Sequence, residues 1–187
     1  MSEQAYVPTH SNVQHSPRAA GDDRPPLPTT GGEREILTAF LDWHRATFEL
    51  KCRGLAAAQL SQRAVPPSGL SLHGLVRHLA GVERWWFRQH FAGEDLPMLH
   101  YSDDEPNVDF DQLDGDVEAA FALWRAERNR ARIIVAEAPS LDTTCRSPVT
   151  GREISLRFIL VHLIAEYARH NGHADLLRER IDGATGL

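Results

Sequence analysis

Between Leu156 and Ile181 the chain repeats apolar residues at helical spacing, and the same rod carries His162, Glu166, His170 and His173. No other feature narrows the fold as far. A helix turns about 100° per residue, so with His162 at zero Glu166 falls at about 40°, His170 at about 80° and His173 at about 20°. On that wheel Leu156, Ile159, Leu160, Leu163, Tyr167 and Leu177 span roughly 60° to 160°. His170 lies inside the apolar arc and Glu166 at its edge, so both are expected to face the interior. Ionisable groups in such a place lose their hydration unless they are paired or bound to a metal.

The wheel alone supports two readings equally. One is a buried ion pair between Glu166 and His170; the other is a pair of ligands for a divalent cation. As ligands they are incomplete, because a catalytic zinc site takes three protein groups and keeps one position open. The strongest third is His78 in SLHGLVRHLAGVERWWF, on the margin of the stripe formed by Leu72, Leu75, Val76, Leu79, Val82 and Trp86. Its bland alternative is a core histidine bonded to a backbone carbonyl. His173 is the substitute ligand, and His162 reads as a supporting or surface residue. His44 shares its helix face with Leu37, Phe40, Leu41 and Phe48. It is either a pocket-lining acid, base or substrate contact or a satisfied core histidine. Glu83 falls on the apolar side of its helix and is expected to orient an Arg or His.

Four amphipathic patterns organise the chain. The first runs from Gly32 to Gly54, the second from about Ser71 to His90 with Ser68 or Ser71 as N-cap, and the third from Asp111 to Ala138, closed by Pro139. The fourth runs from about Ile154 to Ile181 and stops at Gly183. A long acidic connection separates the second from the third, and SLDTTCRSPVTGREI offers room for a short hairpin. The expected fold is therefore all-α, a four-helix bundle with a long crossover between helices two and three. Residues 1–31, rich in Pro, Ser, Thr and Gly, read as a flexible tail ahead of a bundle domain at 32–187. His10 and His15 in that tail read as solvated.

Composition excludes several functions. The chain has 187 residues, with 26 acidic against 20 basic groups and a formal charge of −6, which argues against nucleic acid as partner. No apolar run approaches the length of a membrane span and no signal-peptide core is seen, so a cytoplasmic location is expected. Cys52 and Cys145 are too few for a disulfide framework or a zinc knuckle. There is no HExxH and no ExxH pair on two helices, so neither a zincin protease nor a di-iron carboxylate protein fits. Trp85 and Trp86 read as packing residues. With Phe87 they cannot all face one core, so a second copy is expected to cover part of this face, giving a homodimer.

The combination of SLHGLVRHLAGVERWWF with HLIAEYARHNGHADLLRERIDG resembles the DinB-like four-helix metalloprotein superfamily. It is most similar to the branch that includes mycothiol-dependent maleylpyruvate isomerase. The likeness covers roughly Glu33 to Gly183. It implies a divalent metal held by one histidine of helix two and two residues four apart on helix four, here His78, Glu166 and His170. This donor set suits zinc first, with nickel or iron(II) as alternatives. The resemblance also implies a low-molecular-weight thiol, such as mycothiol, used by a transferase or isomerase on a small electrophile. Arg77, Arg84 and Arg169 are the cations offered to that thiol. The competing expectations are a metal-binding, stress-related bundle without turnover and a metal-dependent hydrolase.

Overall fold

The structure is a computed structural model that describes residues 22–185 except 103, 106 and 114. Helix α1 spans Glu33–Cys52, and the short α2 spans Ala57–Leu60. Helix α3, Leu72–Glu83, starts where the Ser71 hydroxyl accepts the amide of Gly74 at 3.0 Å, and it runs without a break into a π-helical segment, Arg84–Phe91. The crossover that follows contains one short helix, α4, Val108–Asp111. Helix α5 covers Val117–Glu137 and α6 covers Leu156–Asp182, the latter closed by Gly183 at φ 80°. Glycine is needed there because a left-handed cap is strained for other residues. Among the described residues no helix is long and apolar enough to cross a membrane.

The all-α bundle with its long crossover is borne out. Helix α1 packs chiefly on α6, and α3 on α5. Leu41, Phe48, Leu75, Phe87, Trp124 and Leu163 are among the side chains that fill the centre, each almost wholly removed from water. Burial of side chains of this size contributes about 1.5–3 kcal/mol each. The hairpin expected before helix four is present: β1, Thr144–Arg146, pairs antiparallel with β2, Glu153–Ser155.

Two helix starts are later than the sequence pattern places them. The third helix begins at Val117 rather than near Asp111, because the Asp116 carboxylate caps it by accepting the amide of Glu118 at 2.9 Å. The fourth begins at Leu156 because Ile154 is held in the hairpin opposite Cys145, and the Ser155 hydroxyl caps the helix. Of the expected tail, residues 1–21, with His10 and His15, lie outside the described residues. Arg24 donates to the Thr47 hydroxyl at 2.8 Å and sits 4.6 Å from the Trp43 ring centre, so this stretch lies against α1.

One polar network ties the long helices together. The Glu83 carboxylate is fully buried and accepts from Arg45 Nε at 2.7 Å, Arg45 Nη2 at 2.6 Å and the Tyr167 hydroxyl at 2.7 Å. Tyr167 in turn accepts from Trp124 Nε1 at 2.8 Å. Glu83 thus orients an arginine, from α1.

Candidate metal centre

Helix α6 carries Glu166 and His170 one turn apart, and α3 brings His78 against them from across the bundle. Each of the three offers one ligand atom, and these atoms lie within 4.8 Å of one another. Glu166 Oε1 is the meeting point, 3.0 Å from His170 Nε2 and 3.3 Å from His78 Nε2. The two imidazole centres are 4.8 Å apart, with their planes at 61°. His170 is buried, while His78 and Glu166 are half-buried and keep one side open.

A ring of neighbours fixes these three. Arg169 Nη1 donates to Glu166 Oε2 at 2.6 Å, which leaves Oε1 as the oxygen turned to the histidines. His173 meets His170 Nδ1 with its own Nδ1 at 3.2 Å. Asp109, from α4, lies 2.8 Å from His78 Nδ1 through Oδ2, and Phe110 stacks on the His78 ring at 5.2 Å. The close seat of α4 on α3 depends on Gly74, where a Cβ would come within 2.9 Å of the Phe110 ring. Arg77 then donates to the carbonyls of Val108 and Asp109, at 3.0 Å and 3.2 Å.

Electrostatics follow from this geometry. Bonds from His170 and then His78 hold the Glu166 carboxyl far below the usual carboxylate range. Burial alone would lower the His78 imidazole, but its bonds to Asp109 and Glu166 outweigh this and raise it to about 9. In effect a protonated His78 supplies the positive charge that two carboxylates demand.

The residues present fit a divalent cation. Two imidazole nitrogens and a carboxylate oxygen are a set that zinc, nickel and iron(II) all accept. A carboxylate on the far nitrogen of a ligating histidine is the usual support for such a site, as it fixes the tautomer and raises ligand basicity. Asp109 stands in that position, and its buried Oδ1 has no hydrogen-bond partner among the described residues.

His78, Glu166, His170 and His173 are therefore together, while His44 and His162 are not with them. The side-chain amide of Asn171 donates to the His44 carbonyl at 3.1 Å and lies 3.3 Å from His44 Nδ1. His162 lies 4.6 Å from the Trp86 ring and stacks on Phe158. Of the arginines offered to a thiol, Arg77 and Arg169 are engaged as above, and Arg84 donates to Glu127 at 2.6 Å. Burial raises both thiols, Cys52 more than Cys145, so neither is an activated nucleophile. Sequence reasoning missed Asp109. Its only signal was its place in the acidic connection, which does not distinguish it from its neighbours.

Beside His78 opens a cavity of about 730 Å³ between α3 and the crossover. Trp85, Leu99 and Phe110 form part of its wall.

Fold and ligand-like cluster together define a DinB-like helical bundle. Within that class the chain belongs to the mycothiol-S-transferase family, whose model matches residues 36–183. A solved structure, the crystal structure of a conserved protein from Enterococcus faecalis, superposes with a TM-score of 0.55. The match covers 83% of this chain and 100% of that one, and the 17% identity makes it a likeness of fold alone. No curated protein matches the chain.

Proposed function

We propose that the chain is a metal-dependent transferase that joins mycothiol, or a similar low-molecular-weight thiol, to a small electrophile. The observation that supports this most is the convergence of His78, Glu166 and His170 beside an open cavity, in a chain of the mycothiol-S-transferase family. His78 and His170 would hold the cation through Nε2 and Glu166 through Oε1. A bound divalent cation supplies the charge that keeps a thiol deprotonated near neutral pH.

The remaining work falls to the chain's own residues. Asp109 accepts the His78 Nδ1 proton and so keeps the Nε2 lone pair turned inward. Arg169 ties down Glu166 Oε2, and His173 steadies the His170 ring from behind. Phe110 and Trp85 present apolar surface in the cavity beside His78, against which a small electrophile would pack. Zinc is the expected ion, and the cytoplasm, where thiols stay reduced, is the expected location.

The test is a conjugation assay on the purified, metal-loaded chain with mycothiol and a panel of electrophiles. Product that requires both thiol and metal is expected. Absence of conjugation with any cellular thiol contradicts the proposal, and thiol-independent release from ester or amide panels favours hydrolysis instead.

A further inference from the structure

We infer that the cavity beside His78 is the acceptor site for an uncharged, largely apolar electrophile, and that it discriminates against anionic acids. The inference deepens the transferase reading and rests on it only for the reaction, since the pocket's selectivity stands on the residues that build it.

The volume of about 730 Å³ lies within the range of small-molecule sites. The wall combines aromatic and aliphatic surface from Trp85, Leu99 and Phe110 with the side chains of Met98 and Tyr101, exposed at 37% and 44%. Its polar groups are few: His78, Asn107, Asp109 and the Tyr101 hydroxyl. Among the described residues that line it there is no Lys or Arg. An apolar ligand gains about 25 cal/mol for each Å² it removes from water here. A carboxylate entering the same space would lose its hydration and meet no Lys or Arg among the described lining side chains, while the charge on His78 is already matched by Asp109 and Glu166.

The origin of the wall sharpens this. The crossover from Ala92 to Asp116 carries nine Asp and Glu residues and no Lys or Arg. Its one imidazole, His100, is kept neutral by burial and by nearby Arg77, with its pKa lowered to about 4. Arginines around the crossover are engaged by protein oxygens: Arg77 by the carbonyls of Val108 and Asp109, Arg84 by Glu127 and the Pro97 carbonyl, and Arg63 by the Phe110 carbonyl and Asp111. Of the crossover's carboxylates, Glu94 is paired with Arg88 and Arg130 and Asp111 with Arg63, so the described part of the crossover brings no cation to the cavity that would draw an anion in. Asn107 and the Tyr101 hydroxyl are the neutral donors able to orient a nitro or carbonyl oxygen.

For a chloronitroaromatic acceptor, the thiolate sulfur attacks the ring carbon bearing chlorine. The C–S bond forms, the C–Cl bond breaks with the electron pair leaving on chloride, and the thiol proton passes to the buffer. No oxidant or reductant is required.

The test uses a matched pair of unreactive ligands, neutral 2,6-dinitrotoluene and anionic 4-methyl-3,5-dinitrobenzoate, titrated calorimetrically into the full chain with and without zinc. The neutral compound is expected to bind at least about tenfold more tightly, equivalent to about 1.4 kcal/mol. Met98→Arg, at an exposed position, should narrow that gap severalfold by adding a cation. Equal or tighter binding of the carboxylate overturns the inference, as does a gap that Met98→Arg leaves unchanged. In parallel, 1-chloro-2,4-dinitrobenzene is offered with mycothiol. If the binding preference holds and conjugation fails, the transferase reading falls and the assignment of the pocket stands.

Discussion

Helices α3 and α6 each send ionisable side chains inward at two places, and the two places are built on opposite principles. Around Glu83, a buried carboxylate meets a buried guanidinium, and Tyr167 and Trp124 complete its bonds. Around Glu166, two imidazoles turn toward a single carboxylate oxygen while a second carboxylate stands behind His78. The first set is complete with its own charges. The second is reconciled only by protons or by a cation from outside. Glu166 and Tyr167 are adjacent in sequence, yet one belongs to the open cluster and the other to the closed one. Burial alone therefore does not separate the two clusters; what separates them is whether the carboxylates are matched by a permanent cation or only by imidazoles.

That contrast can be broken by substitution. Glu83→Ala should cost about 3–5 kcal/mol in denaturant unfolding, because it leaves the Arg45 guanidinium buried without its main partner. Metal content per folded chain should stay unchanged. Asp109→Asn should do the reverse, weakening metal affinity by about 10–100-fold in a chelator competition while barely moving the unfolding midpoint. If Asp109→Asn destabilised the fold as much as Glu83→Ala, the two clusters would not differ in kind. Tyr167→Phe should cost about 1–3 kcal/mol, since Trp124 Nε1 loses its acceptor inside the core.

The smallest effect concerns acid. Burial would raise the Asp42 and Glu49 carboxyls, but arginines outweigh it: Arg45 and Arg132 at Asp42, Arg128 and Arg125 at Glu49, so both lie below their ordinary values. Carboxylates depressed in the folded state contribute stability above their unfolded pKa and lose it as pH falls through the folded one. The contribution of these two carboxylates is expected to be flat from about pH 8 to 5 and to decline below about pH 4, while His78, raised to about 9, adds stability below about pH 6.5 that is lost as pH rises towards 9. Asp42→Asn should flatten part of that decline, as read by urea titration at each pH.

Helical periodicity made much of this legible. The wheel put His170 in the apolar arc and it is buried; it put Glu166 at the edge and His78 at the margin, and both are half-buried. Gly183 stops its helix as composition suggested, with a left-handed φ. The π-helical segment at Arg84–Phe91 was not legible, because widening a helix by one residue per turn leaves no mark in residue type. It leaves Phe87 wholly buried and Trp85 half-buried on the cavity wall, a division a regular wheel does not assign. Asp109 was hidden for a different reason. It acts across 31 positions of chain from a helix of four residues, too short for any periodic signal. His44 shared an apolar face with true core residues, and the wheel could not tell that its partner would be Asn171.

The most direct test is metal stoichiometry by mass spectrometry on the purified chain and on His170→Ala, with circular dichroism to confirm the helices. About one divalent ion per chain is expected for the parent, and less than about a tenth of that for the variant, because two remaining ligands compete poorly with water. A well-folded His170→Ala chain that keeps its full metal content would contradict the account.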